Sequence, residues 1–134
     1  MVKFKNDNPR LRDEFYSRRL DYRIRAMLKS LAGFVEFYFK KDIIITCLLR
    51  TDKEQDKIYS GNERYKIKSW KSVHQVGRGA DVRVDGDGDF TELEETAILD
   101  FINKIFPYEK GNFKAGLVHN VGAGRHLHLQ VKHA

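Results

Sequence analysis

Near the C-terminus, His126-Leu127-His128-Leu129 alternates polar and apolar residues with the period of a strand. On a strand, residues i and i+2 share a face. The two imidazoles therefore project together, with Cα atoms roughly 6.5–7 Å apart, while Leu127 and Leu129 turn to the core. A chain carrying this segment is expected to fold around a sheet with one apolar face.

The rest of the chain reads as partners for that strand. Its 134 residues suit one domain with one real core, spanning residues 1–134. Asn8-Pro9 opens the first element. Leu20, Ile24, Met27, Leu28, Leu31 and Val35 recur at helical spacing, which predicts one long amphipathic helix from about Arg10 to Lys40, kinked or divided at Gly33 if anywhere. Ile43 to Leu49 reads as a buried strand. Thr51 to Glu54 is a capping box that starts a short helix to about Tyr59. Gly61 to Lys71 reads as a polar surface loop, and Ala80 to Val84 as a strand. Thr91 to Glu94 is a second capping box. Leu93, Ala97, Ile98, Phe101, Ile102 and Ile105 give the helix after it a core face, and Pro107 ends it. Ala115 to His119 and His126 to Val131 form two strands joined by Gly122-Ala123-Gly124. The class is α+β: a small, mostly antiparallel sheet with helices packed on one side.

The segment Ser72 to Asp81 carries the chemistry. His74 and Asp81 are seven residues apart, and the span between them holds Gly77 and Gly79, so the loop can turn tightly and aim both side chains inward. Zinc accepts an imidazole nitrogen and a carboxylate oxygen at about 2.0–2.2 Å. His126 and His128 are the candidates for a third ligand, one on the metal and the other across the substrate. Three protein ligands leave a fourth position for water, the pattern of a catalytic zinc; structural sites are closed by four ligands and are thiolate-rich. The chain has one cysteine, Cys47, in an apolar run, which reads as a buried small hydrophobe. His119 reads as a structural or supporting residue. Tyr65 and Trp70 read either as walls of a substrate groove or as packing residues. Asp85-Gly86-Asp87-Gly88-Asp89 has the alternating oxygens of a calcium loop. Phe90 and Thr96, however, occupy the positions where an EF-hand needs Gly and Glu, so a solvated acidic turn is expected there.

The run Ser72-x-His74-x-x-Gly77-x-x-Ala80-Asp81, followed by His126-x-His128, resembles the Hedgehog/D-Ala-D-Ala peptidase fold. That group includes D-Ala-D-Ala carboxypeptidases, phage L-alanyl-D-glutamate endolysins and the Hedgehog signalling domain. Arg50-Thr51 and Gln55 match a further element of the group, and order and spacing agree over about Ile43 to Val131. The resemblance implies a single zinc ion on His74, Asp81 and His128. It implies substrate binding by Ser72, Arg50 and Gln55, a catalytic role for Arg50, and a place beside the metal for His126. The implied reaction is amide hydrolysis in peptidoglycan stem peptides. Many enzymes of the group carry a carboxylate three residues before the last ligand. Arg125 stands there and the nearest upstream carboxylate is Glu109, so either His126 transfers the proton, or a carboxylate from elsewhere reaches the site, or the protein binds zinc without turning over peptide; His126 is the best local candidate.

A formal charge of +6 favours an anionic partner such as a cell wall. The basic residues are spread along the whole chain, so no nucleic-acid site is expected. No run approaches the ~20 apolar residues of a membrane span, and Met1 to Arg12 lacks the apolar stretch of a signal peptide. The expectation is a monomer made in the cytoplasm that acts on the wall, as phage lysis enzymes do. Two other classes compete. One is a non-catalytic zinc module that binds glycan, peptide or protein, favoured by Arg125. The other is a non-haem iron oxygenase, which lacks its H-x-D spacing here.

Overall fold

The computed structural model describes residues 1–59, 72–84, 91–109, 111–120 and 125–133. Among these residues five strands form one sheet: β1 (Val2–Phe4), β2 (Ile43–Cys47), β3 (Gly79–Val84), β4 (Gly116–Asn120) and β5 (Arg125–Gln130), in the order β1-β2-β3-β5-β4. β1 runs parallel to β2 and the other pairings are antiparallel, so the sheet is mixed and the class is α+β. Among the described residues four α-helices accompany it: α1 (Pro9–Phe15), α2 (Tyr22–Phe39), α3 (Asp52–Tyr59) and α4 (Glu92–Ile105).

The single helix expected over Arg10 to Lys40 is instead two, and the break falls at residues 16–21, not at Gly33, which lies inside α2. Leu11, Phe15, Leu20 and Ile24 are all buried, but the step from Phe15 to Leu20 is five residues. A continuous helix turns about 100° per residue and cannot keep that step on one stripe. The chain therefore stops and restarts. Asp21 caps α2 by accepting from the Arg23 N–H at 2.9 Å, and the Arg25 guanidinium donates to the carbonyls of Phe15 and Ser17 at 2.6 and 3.0 Å. The broken turn is thus satisfied from the side of α2.

Both capping boxes form. Thr51 Oγ1 accepts from Glu54 N at 3.1 Å while Glu54 accepts from Thr51 N at 3.0 Å, and Thr91 and Glu94 repeat the exchange at 3.1 and 2.9 Å. Glu54 also takes the Arg10 guanidinium on both oxygens, which ties α3 to α1 and pushes its carboxyl down to about 2.

Strand alternation then makes the core. Ile43, Ile45, Ala80, Val82, Val84, Leu127 and Leu129 join Ile24, Met27, Leu28, Leu31 and Val35 of α2 and Ile98 and Ile102 of α4 in one buried cluster. Phe34 stacks on Phe101, with centroids 4.4 Å apart, and couples the two long helices. Among the described residues no helix is long and apolar enough to cross a membrane.

Candidate metal centre

Once Ala80, Val82, Leu127 and Leu129 face the core, the intervening residues must face the other way. Asp81 of β3 pairs in register with His128 of β5, and His126 pairs with His119 of β4. One sheet face therefore carries a carboxylate and three imidazoles. His74 joins them from the turn at residues 73–77, which is closed by Gln75 N to Ser72 O at 3.0 Å and by Arg78 N to Val73 O at 2.9 Å. Arg50 N donates to His74 O at 3.0 Å, and Gln75 Nε2 donates to Asp52 at 2.8 Å, so the link after β2 and the start of α3 brace the turn.

The corner between α1 and α2 braces it as well. Asp21 N donates to Gly77 O at 2.8 Å. Gly77 sits at φ +72°, and a Cβ there would overlap the main-chain oxygen of Arg19. Gly77→Ala is expected to cost about 2 kcal/mol or more, because a left-handed alanine is strained and a backbone carbonyl cannot rotate away. Thermal denaturation of the metal-free variant measures this directly.

Asp81 Oδ1 is the focus of the site. It lies 2.9 Å from His128 Nδ1, 3.3 Å from His74 Nε2 and 3.5 Å from His126 Nε2. His74, Asp81, His126 and His128 are 4, 8, 8 and 5% exposed, so water does not solvate this carboxylate. The far nitrogens of two of the rings meet oxygens: His74 Nδ1 lies 3.0 Å from Leu48 O, and His128 Nε2 lies 3.2 Å from Gln130 Oε1. A carbonyl oxygen only accepts, so each of those nitrogens carries the hydrogen. In the neutral rings, the nitrogens turned to Asp81 are then bare lone pairs. Lone pairs facing a buried carboxylate repel it unless a positive charge stands between them.

In the metal-free protein a proton supplies that charge. Burial works against a charged His74, but its hydrogen bonds to Asp81 and Cys47 outweigh burial and push the imidazole up to about 10. Burial likewise works against an ionised Asp81. The hydrogen bonds to His128 and His74 prevail and hold its carboxyl far below the usual range. A metal cation would supply the same charge, and imidazole nitrogen with carboxylate oxygen is a donor set that divalent transition metals accept.

Cys47 is a further potential ligand, and the expectation of a buried hydrophobe is corrected. Cys47, His74 and Asp81 each offer a ligand atom, and these lie within 4.8 Å of one another, so this trio could hold a metal ion. Cys47 is only half-buried, with Sγ 3.6 Å from His74 Nδ1 and 3.5 Å from Arg50 Nη2. A β-bulge puts it there. Ile45 opposes Val82 and Cys47 opposes Asp81, so Thr46 is an extra residue and the alternation that buries Ile43 and Ile45 is broken before Cys47. Cys47 nevertheless approaches His74 at Nδ1, where Leu48 O already accepts. A metal bound on that side would cost the Leu48 bond.

The remaining site residues stand around this cluster. Gln55 is 2% exposed and accepts from Arg50 Nη1 at 2.8 Å, so what it holds is Arg50. Ser72 Oγ accepts from His74 N at 3.3 Å. His119 lies parallel to the His128 ring, with centroids 4.6 Å apart, and edge-on to His126. Burial and then the neighbouring His128 push its imidazole below the usual value. Glu109 pairs with Lys132 at 3.5 Å and is mostly exposed. The loop at 61–71 with Tyr65 and Trp70, the acidic turn Asp85–Asp89 with its calcium reading, and Gly122–Gly124 lie outside the described residues. No protein-family model matches this chain, and no curated protein matches it.

Proposed function

We propose that the chain is a zinc-dependent peptidase of the Hedgehog/D-Ala-D-Ala peptidase type that hydrolyses an amide bond in peptidoglycan stem peptides. One observation carries the metal: imidazole nitrogens from His74 and His128 converge on Asp81 Oδ1, and the far nitrogen of each is engaged by an oxygen. Outer hydrogen bonds of this kind orient the histidine ligands of metal sites. The Nε2 side of His74 is favoured over the Cys47 side because it leaves the Leu48 bond intact. The order Arg50…Gln55, Ser72-x-His74…Asp81 and His126-x-His128 supports the peptidase reading over other uses of zinc.

Bound there, zinc would supply a water acidified towards neutral pH and a Lewis acid for the scissile carbonyl. The chain's own residues do the rest. The Arg50 guanidinium, held by Gln55, binds the substrate carboxylate or the oxyanion. Ser72 rests its hydroxyl on the His74 amide at the mouth of the turn and contributes to substrate binding. His126 holds and returns the proton, since Arg125 stands where a carboxylate base would be expected.

Arg125 favours a second reading, a zinc module that binds wall peptide or glycan without cutting it. Incubation of the zinc-loaded protein with purified peptidoglycan, followed by identification of newly freed amino groups, decides between them. Freed D-Ala identifies carboxypeptidase action, and a freed D-Glu amino group identifies L-Ala-D-Glu cleavage. Wall binding with no freed amino group would leave the module. A protein that neither binds zinc nor alters peptidoglycan would end both readings.

A further inference from the structure

The zinc reading uses Nδ1 of His128, and an imidazole presents one nitrogen to a metal reliably only when the other is held. Gln130 lies two residues beyond His128 on β5, so both side chains leave the same face of the strand. Its main-chain N–H donates to Ala115 O at 2.8 Å, and its side-chain Nε2 donates to Lys114 O at 2.8 Å. A main-chain carbonyl only accepts, so the second bond orients the amide: Nε2 faces Lys114, and Oε1 faces His128 Nε2 at 3.2 Å. The amide oxygen also only accepts, so His128 Nε2 keeps a hydrogen. Nδ1 faces the cluster, 2.9 Å from Asp81 Oδ1, and is the nitrogen a metal there would take in place of a hydrogen.

We infer that Gln130 is a positioning residue of the metal centre: it takes its orientation from the Lys114 carbonyl and fixes which nitrogen of His128 is offered to the metal. This rests on the zinc reading and extends it, since the motif that carries that reading ends at His128. His74 gains the same control from the Leu48 carbonyl, which no side-chain substitution removes. At His128 the control is a side chain, and it can be tested.

Two variants separate the acceptor from the tether. Gln130→Leu removes both the bond to His128 and the bond to Lys114. Gln130→Glu keeps an acceptor for His128 Nε2 and gives up the donor to Lys114. Zinc affinity is read by competition with a chromophoric chelator, and the visible bands of the Co2+-substituted protein read the ligand geometry. Gln130→Leu is expected to weaken zinc binding by about 10–100-fold and to alter the Co2+ bands, with the metal-free fold retained by circular dichroism. Gln130→Glu is expected to hold zinc at least as tightly as the wild type. Wild-type affinity in Gln130→Leu overturns the inference. Equal weakening in both variants also overturns it, because the tether would then matter and the acceptor would not. Should Gln130→Leu fail to fold, Gln130→Glu decides alone, and a tenfold loss there counts against the inference. Tight zinc in the wild type beside an indifferent Gln130→Leu removes only this inference. A wild type that binds zinc no better than His74→Ala removes the zinc reading and this inference with it.

Discussion

Asp81→Asn is expected to keep the fold and lose the metal, with zinc affinity falling by about 100-fold or more and peptide hydrolysis falling with it. The amide has the shape of the carboxylate, so β3 and its register with His128 are undisturbed. What disappears is the buried negative charge on which three imidazole nitrogens converge. Removing one partner of a buried charged cluster typically costs about 3 kcal/mol or more, which is about 100-fold in a binding constant. The metal-free variant should suffer less than that figure implies. The new NH2 group can donate to a bare imidazole nitrogen, so a proton is no longer needed to relieve the cluster. His74 then loses the carboxylate that holds its imidazole up at about 10, and burial acts on it with less opposition. Zinc content after dialysis and the NMR titration of the His74 ring are the two measurements. A D81N protein that retains one tightly held zinc per chain would remove Asp81 from the ligand set, both beside His128 and beside Cys47.

The features of this fold that are legible in the sequence are those written locally. Two capping boxes announce α3 and α4, because a side chain three residues away closes each one. The alternation around His126 and His128 puts imidazoles on one face of β5 and leucines on the other. The illegible features depend on distant contacts. β1 is three residues long and exists because it pairs with Ile43 to Ile45, some forty residues away. The corner at residues 16–21 shows itself only as a five-residue step between buried positions, yet it carries the carbonyl against which Gly77 is packed and the N–H that Gly77 accepts. The bulge at Thr46 and Cys47 has no local signature, and it alone brings the thiol to the metal face. Gln130 was within reach, since H-x-H-x-Q continues the i, i+2 face by one more residue. Its role depends on Lys114 O, which only the pairing of β4 with β5 supplies.

Zinc is expected to raise the melting temperature by roughly 10–15 °C, and by more as pH rises from about 6.5 to 8.5. The first figure follows from mass action: zinc at a thousandfold above its dissociation constant stabilises by about 4 kcal/mol, worth about 3–4 °C per kcal/mol in a chain of this size. The pH dependence follows from His74. Its folded imidazole is raised to about 10, so the metal-free protein has the full benefit of that charge below the unfolded value near 6.5 and loses it as pH climbs towards 10. The Asp81 carboxyl, held low, contributes throughout this window and fades only in strong acid. The zinc-loaded protein behaves in the opposite way. Its His74 must be neutral to coordinate, so each zinc bound near pH 7.5 displaces about one proton, and affinity rises about tenfold per pH unit until that proton is no longer there to displace. Rising pH thus weakens the metal-free state while it tightens the metal-bound one, and the gap between their melting temperatures must widen. Calorimetric titration in buffers of different ionisation enthalpy counts the proton, and paired melts with and without chelator measure the gap. A gap that stays constant or narrows over this range, with no proton released, would mean that zinc does not bind through His74.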